Sequence, residues 1–133
     1  MSKHDGRHDP DVSHEFGKDP DAPRAARDAL RRLFPNDGAI ADDVTLVASE
    51  LVTNVVQHTD AGGVMEAWCD DPFVLKVTDF DIAPPSTQAE ADEHGGRGLH
   101  IVDDLADDWG TTPRQHGKTV WATFDRERVD PAD

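Results

Sequence analysis

The chain has 133 residues, enough for one domain with one substantial core and too few for two. Asp and Glu number 28 against 13 Lys and Arg, and the resulting formal charge of −15 repels nucleic acid backbones and anionic membranes alike. A lone cysteine, Cys69, excludes an intrachain disulfide, and residues 1–11 hold no apolar run that would make a signal peptide or membrane span, so a cytoplasmic protein is expected.

Residues 1–12 have almost nothing to bury, and His4, His8 and His14 are scattered among acids, so a disordered tail is expected there. The domain is expected to run from 13 to 127, with a second tail over 128–133. It opens with a short edge strand around Ser13 to Phe16. Asp19-Pro20 offers an N-cap and an N1 proline for a helix. Ala22, Ala25, Ala26, Ala29, Leu30 and Leu33 then repeat with helical spacing, while Arg24, Arg27, Arg31 and Arg32 lie off the stripe. Pro35 stops that helix, and Asn36-Asp37-Gly38 is the turn. The next helix carries Asp42 and Asp43 in its first turn, where negative charge suits the dipole, and Gly62-Gly63 follows its end.

The period then changes to two. Val64, Glu66 and Trp68 alternate against Met65, Ala67 and Cys69, Asp70-Asp71-Pro72 makes a turn, and Phe73 to Thr78 is a second strand ending at Asp79. Ile82 to Glu93, rich in Pro, Ala, Glu and Asp, reads as a loop or lid. His94-Gly95-Gly96-Arg97-Gly98-Leu99 opens another helix, packed by Leu99, Val102, Leu105 and Ala106. Trp109 begins a short strand, and Gly117 to Phe124 alternates as a further one. Hairpin-linked strands with helices between them argue for an α/β sandwich, an antiparallel-rich sheet covered on one face by helices.

Three places carry polar groups with chemical potential. In the second helix, Val44, Val47, Ala48, Leu51, Val52 and Val55 form an apolar stripe. Glu50, Asn54 and His58 form a second line beside it, with Asn54 about 20° beyond the stripe's edge. Asp79 stands at a strand's end, where a carboxylate accepts a hydrogen bond from an exocyclic amine such as adenine's. Gly95-Gly96-x-Gly98 before a helix lets backbone N–H groups approach a phosphate without obstruction by Cβ, at the positive end of the dipole. Each also has a plainer account: a boundary helix face, a strand-end turn, a hinge before a helix. Arg97 and Lys118 are the nearest candidates for phosphate partners, although either also fits a solvated charge. His58 fits a cationic cap of its helix better than a site residue.

Taken together and in order, Glu50-Leu51-Val52-Thr53-Asn54, Val77-Thr78-Asp79 with Ala83-Pro84-Pro85, Gly96-Arg97-Gly98-Leu99-His100-Ile101-Val102 and Gly117-Lys118-Thr119-Val120-Trp121 resemble the GHKL (histidine-kinase-like) ATPase superfamily. The first three resemble its N, G1 and G2 boxes. Within it the chain is most similar to the anti-sigma-factor serine/threonine kinase branch, over about residues 13 to 125. The resemblance implies a Bergerat-type two-layer α/β sandwich with a mixed, mostly antiparallel sheet and helices on one face. It implies ATP between helices and lid, with Mg²⁺ on Asn54, adenine read by Asp79, and phosphates received by Gly96, Gly98 and Leu99, beside which Arg97 is the candidate cation named above. It gives Glu50 the catalytic role of the N-box acid that activates a hydroxyl or a water. One departure stands out: Asp79-Phe80-Asp81-Ile82-Ala83 has no glycine where the family pattern usually has two.

The function implied is an ATP- and Mg²⁺-dependent bacterial regulator that binds a sigma factor, its antagonist or both, and phosphorylates Ser or Thr of the antagonist. It has no direct nucleic acid or membrane partner and is open to homodimer formation. The alternative is a catalytically silent ATP-binding interaction module, which the altered G1 box favours and Glu50 opposes. The catalytic domain of a two-component histidine kinase fits poorly, since no phospho-acceptor helices precede residue 13.

Overall fold

The alternating stretches form strands β1 (Val12–Phe16), β2 (Gly63–Trp68), β3 (Phe73–Asp79), β4 (Asp108–Arg114) and β5 (Gly117–Phe124). The periodic stretches form helices α1 (Ala22–Arg31), α2 (Ala39–His58) and α3 (Gly96–Leu105). These come from a computed structural model that describes residues 8–34, 38–80, 96–115 and 117–125, with the backbone alone at 96–98. The lid expected over 82–93, together with His94 and Gly95, lies outside the described residues.

The sheet runs in the order β1-β2-β3-β5-β4, antiparallel at every described pairing. Strand alternation gives it two unlike faces. One face presents Met65, Ala67, Phe73, Leu75, Val77, Ala122 and Phe124, and these join Leu30 of α1, Val44, Val47, Leu51 and Val52 of α2, and Val102 of α3 in a single buried cluster. All three helices therefore cover one face, the two-layer arrangement expected from the sequence. Phe73 anchors the cluster, with its ring 5.2 Å from that of Phe34 and 6.5 Å from that of Phe124. The long helix α2 packs against α1, α3, β2, β3 and β5. Its buried Thr45 hydroxyl donates to the Ala41 carbonyl at 2.8 Å, so that polar group costs the core little. Among the described residues no helix is long and apolar enough to cross a membrane.

The start of α1 differs from expectation. Asp19 and Pro20 precede the helix instead of capping it: the Asp19 carboxylate accepts the Asp21 N–H at 2.9 Å, and its carbonyl accepts the Ala22 N–H at 2.9 Å. Asp21 is the N-cap residue and Pro23 occupies the first turn, where a fixed φ and a missing donor are harmless. The other end of the helical layer matches its reading. His58 closes α2, the Thr59 N–H donates to the Val55 carbonyl, and the chain turns at Gly62 with φ +77°. A Cβ at Gly62 would collide with the Phe16 carbonyl of β1, so this turn admits glycine on two counts.

Phe73→Ala should lower unfolding free energy by about 3–5 kcal/mol, since it empties the centre of the cluster. Leu46→Ala, at a position 44% exposed on α2, should stay within roughly 0.5 kcal/mol. Urea denaturation of the two variants checks both, and equal losses would contradict the packing described.

Candidate functional site

The site is built on α2 because that helix has two jobs along its length. Its apolar stripe is fully covered: Val44, Val47, Ala48 and Val52 are all at 0% exposure. Glu50 and Asn54, one turn apart, sit at the margin of that stripe and are only partly buried. The same helix packs on β3, which ends in Asp79, and on α3, whose first turn is Gly96, Arg97, Gly98 and Leu99. So α2 carries two of the expected site residues and neighbours both elements that carry the others. Leu99 is partly buried. What the Arg97 side chain does lies outside the described residues.

Asp79 is the most constrained member. It is buried at 9% exposure, and its Oδ1 accepts the Lys118 N–H of β5 at 3.3 Å. That bond aims the carboxylate from the neighbouring strand. Gly117 makes it possible: its φ is +106°, and a Cβ there would collide with both the Asp79 carbonyl and its Oδ1. Lys118 is thus tied to the Asp79 position through its backbone. His58, exposed in the last turn of α2, takes the C-terminal place where a cation suits the dipole.

Sequence reasoning missed two polar arrangements near these residues. Arg27 of α1 donates from Nη1 to the Ser49 hydroxyl at 3.2 Å, next to Glu50, and Ser49 is buried at 8% exposure. Arg27 had been placed off the apolar stripe of α1, and nothing in its own spacing pointed across to α2. On the sheet, the Thr78 and Thr119 hydroxyls share a 2.7 Å hydrogen bond, and Arg114 Nε donates to Thr119 at 3.0 Å. Thr119 is 1% exposed. Alternation puts both threonines on the sheet face opposite the helices, but nothing in the spacing of either strand brings the two hydroxyls together.

Among the described residues no group of three or more His, Cys, Asp or Glu gathers to hold a metal ion. Among the described residues, a divalent cation at Asn54 would therefore find few further ligands. That donor set suits Mg²⁺, which keeps waters and binds substrate phosphates through one or two protein groups. The residues present fit such an ion delivered with a nucleotide.

The described residues thus set a polar helix rim, a buried strand-end carboxylate and a helix that opens with Gly96 and Gly98 on one α/β sandwich. Residues 16–124 match the histidine kinase-like ATPase domain, and the chain belongs to that family. It is also similar to the RsbU and RsbW domains of Rv1364c from Mycobacterium tuberculosis, with a TM-score of 0.66 and 21% identity. That likeness covers 86% of this chain and 31% of the other, and it bears on the fold alone. No curated protein matches the chain.

Gly117→Ala should cost about 1–3 kcal/mol, because alanine must adopt a left-handed conformation against Asp79. Gly17→Ala, where a Cβ meets nothing within 4 Å, should be tolerated. Denaturation midpoints of the two variants decide it, and equal stability would mean that the Asp79–Gly117 contact is not a constraint.

Proposed function

We propose that the chain is an ATP-binding regulator of the anti-sigma-factor type, which binds a sigma factor, its antagonist or both and phosphorylates Ser or Thr of the antagonist with Mg·ATP in the cytoplasm. The observation that carries this reading is α2, which holds Glu50 and Asn54 at its rim while packing on the elements that bear Asp79 and the Gly96–Leu99 turn. Membership of the histidine kinase-like ATPase family supports the nucleotide. The ordered N, G1 and G2 resemblances support the anti-sigma branch.

In this reading Asp79, held by the Lys118 N–H, accepts a hydrogen bond from the exocyclic amine of adenine. The N-terminal turn of α3 offers backbone donors at Gly96, Gly98 and Leu99 to phosphate oxygens, with Arg97 as a further cation. Asn54 would give an amide oxygen to Mg²⁺. When bound, that ion offsets charge on the phosphates during transfer. Glu50, partly exposed and therefore accessible to a second protein, accepts the proton of the attacking hydroxyl. The acidic surface repels a nucleotide at long range, so binding rests on these local donors, while the same surface attracts basic patches on a partner.

A second reading, an ATP-binding interaction module without catalysis, is favoured by one observation: no glycine loosens the backbone after Asp79, and Phe80 follows it directly. The two readings part at Glu50. Glu50→Gln should leave ATP and partner binding intact and lower phosphoryl transfer by roughly 10²-fold or more. Asn54→Ala should instead weaken Mg·ATP binding itself. Transfer of labelled phosphate to a partner recovered from the native cytoplasm, measured beside nucleotide affinity, separates them. A wild-type protein that binds ATP and partner yet transfers nothing selects the silent module.

Nucleotide binding has its own check. Excess Mg·ATP should raise the melting temperature, since a ligand of the folded state alone stabilises it by mass action. Asp79→Asn should reduce the preference for ATP over GTP, because a carboxamide presents a donor where two acceptor oxygens stood. Calorimetry that shows neither a shift nor binding would remove ATP from the reading.

A further inference from the structure

Residues 8–11 are expected from sequence to belong to a tail, yet they lie along the β2–β3 hairpin. The Asp11 N–H donates to the Ala67 carbonyl at 2.8 Å, and the Asp11 carboxylate accepts the Cys69 N–H at 2.6 Å. The Trp68 indole N–H donates to the His8 carbonyl at 2.8 Å. Trp68 belongs to the sheet face that the helices do not cover, since it alternates with Met65 and Ala67 of the core, yet it is only 6% exposed. Lys76 of β3, with Nζ 5.1 Å from the ring centroid, covers part of it. This short segment supplies the hydrogen-bond partner of the indole.

The His8 ring holds the end of that segment. Its Nε2 lies 3.0 and 3.1 Å from the two carboxylate oxygens of Asp70, and its Nδ1 lies 2.8 Å from the Asp9 carbonyl oxygen. Both ring nitrogens thus face atoms that only accept. A neutral imidazole has one donor, so it must turn a lone pair toward one of them; the imidazolium satisfies both. We propose that residues 8–11 form a strap over Trp68, latched by the His8 imidazolium on Asp70 and released when that ring loses its proton.

The surroundings give the sign. Among the described residues, the charged and titratable groups on the strap and the hairpin it lies along are Asp9, Asp11, Cys69, Asp70 and Asp71, with Lys76 beyond the Trp68 ring. Acids dominate, and the His8 pKa is raised above the ordinary histidine value, first by the Asp70 hydrogen bond and then by that to the Asp9 carbonyl. A raised pKa in the folded state means that the latch is complete below the ordinary value and is lost as pH rises through the raised one. The hairpin stands at the end of β3 opposite Asp79, so the strap does not depend on the nucleotide reading.

The test uses the full chain and nuclear magnetic resonance of the indole N–H groups across about pH 5 to 8. Trp109, whose indole N–H donates to Asp103 at 2.9 Å away from the strap, serves as the internal reference. Protection of the Trp68 indole from exchange, relative to Trp109, should fall as the His8 ring titrates. His8→Lys, a cation throughout, should keep Trp68 protected over the whole range. His8→Ala and Asp70→Asn, both at the surface, should lower protection at the acidic end and abolish its pH dependence. Unchanged relative protection through the His8 titration, or a pH response that survives in either of the last two variants, would overturn the proposal.

Discussion

A helix in a two-layer sandwich must spend one stripe of its surface on the sheet, and α2 spends nearly all of its length that way. The consequence is that the polar positions left at the stripe's margin are fixed by the packing of the core. Val47, Leu51 and Val55 beside Glu50 and Asn54 belong to the buried cluster, so the helix backbone that carries those two side chains is held by the core. A base on a loop would need its own supporting shell; for the base proposed at Glu50 the hydrophobic core is that shell. The cost of this economy is coupling, since a change that loosens the stripe also displaces the acid and the amide.

Asp79 is held in place by strand pairing. Asp79 ends β3, and the register that opposes Thr78 to Thr119 brings the Lys118 N–H to its carboxylate. Only a glycine at 117 lets the two strands come together there. Glycine adopts its left-handed conformation there without steric cost, and the closeness it allows sets the Lys118 N–H against the Asp79 carboxylate.

How much of this was legible from sequence divides along physical lines. The helical stripe of α2 and the alternation of β2, β3 and β5 are period signals, and they placed those elements because burial and periodicity coincide there. The N-cap of α1 was misplaced, since Asp19-Pro20 and Asp21 with Pro23 offer nearly the same local chemistry and tertiary packing chose between them. Arg27 reaching Ser49, and Thr78 meeting Thr119, were invisible because each depends on two elements meeting, and no local spacing encodes that. The order of the Glu50–Asn54, Asp79 and Gly96–Leu99 motifs was readable, whereas their common dependence on α2 appeared only once the helices were packed. His8 was read as part of a polar tail because its partners, Trp68 and Asp70, lie some sixty residues further along the chain.

The strand order has a consequence for how the protein is made. β5 lies between β3 and β4, yet it is assembled from residues 117–124. A ribosome that has released the chain only as far as Trp109 has exposed β3 with one edge unpaired and Phe73 without Phe124 against it. The helical layer can gather early through near neighbours, as α1 and α2 do, but the sheet cannot close until β5 emerges and inserts. Until then the nascent chain carries an open, apolar strand edge, the part of this fold most exposed to mispairing and to capture by a chaperone.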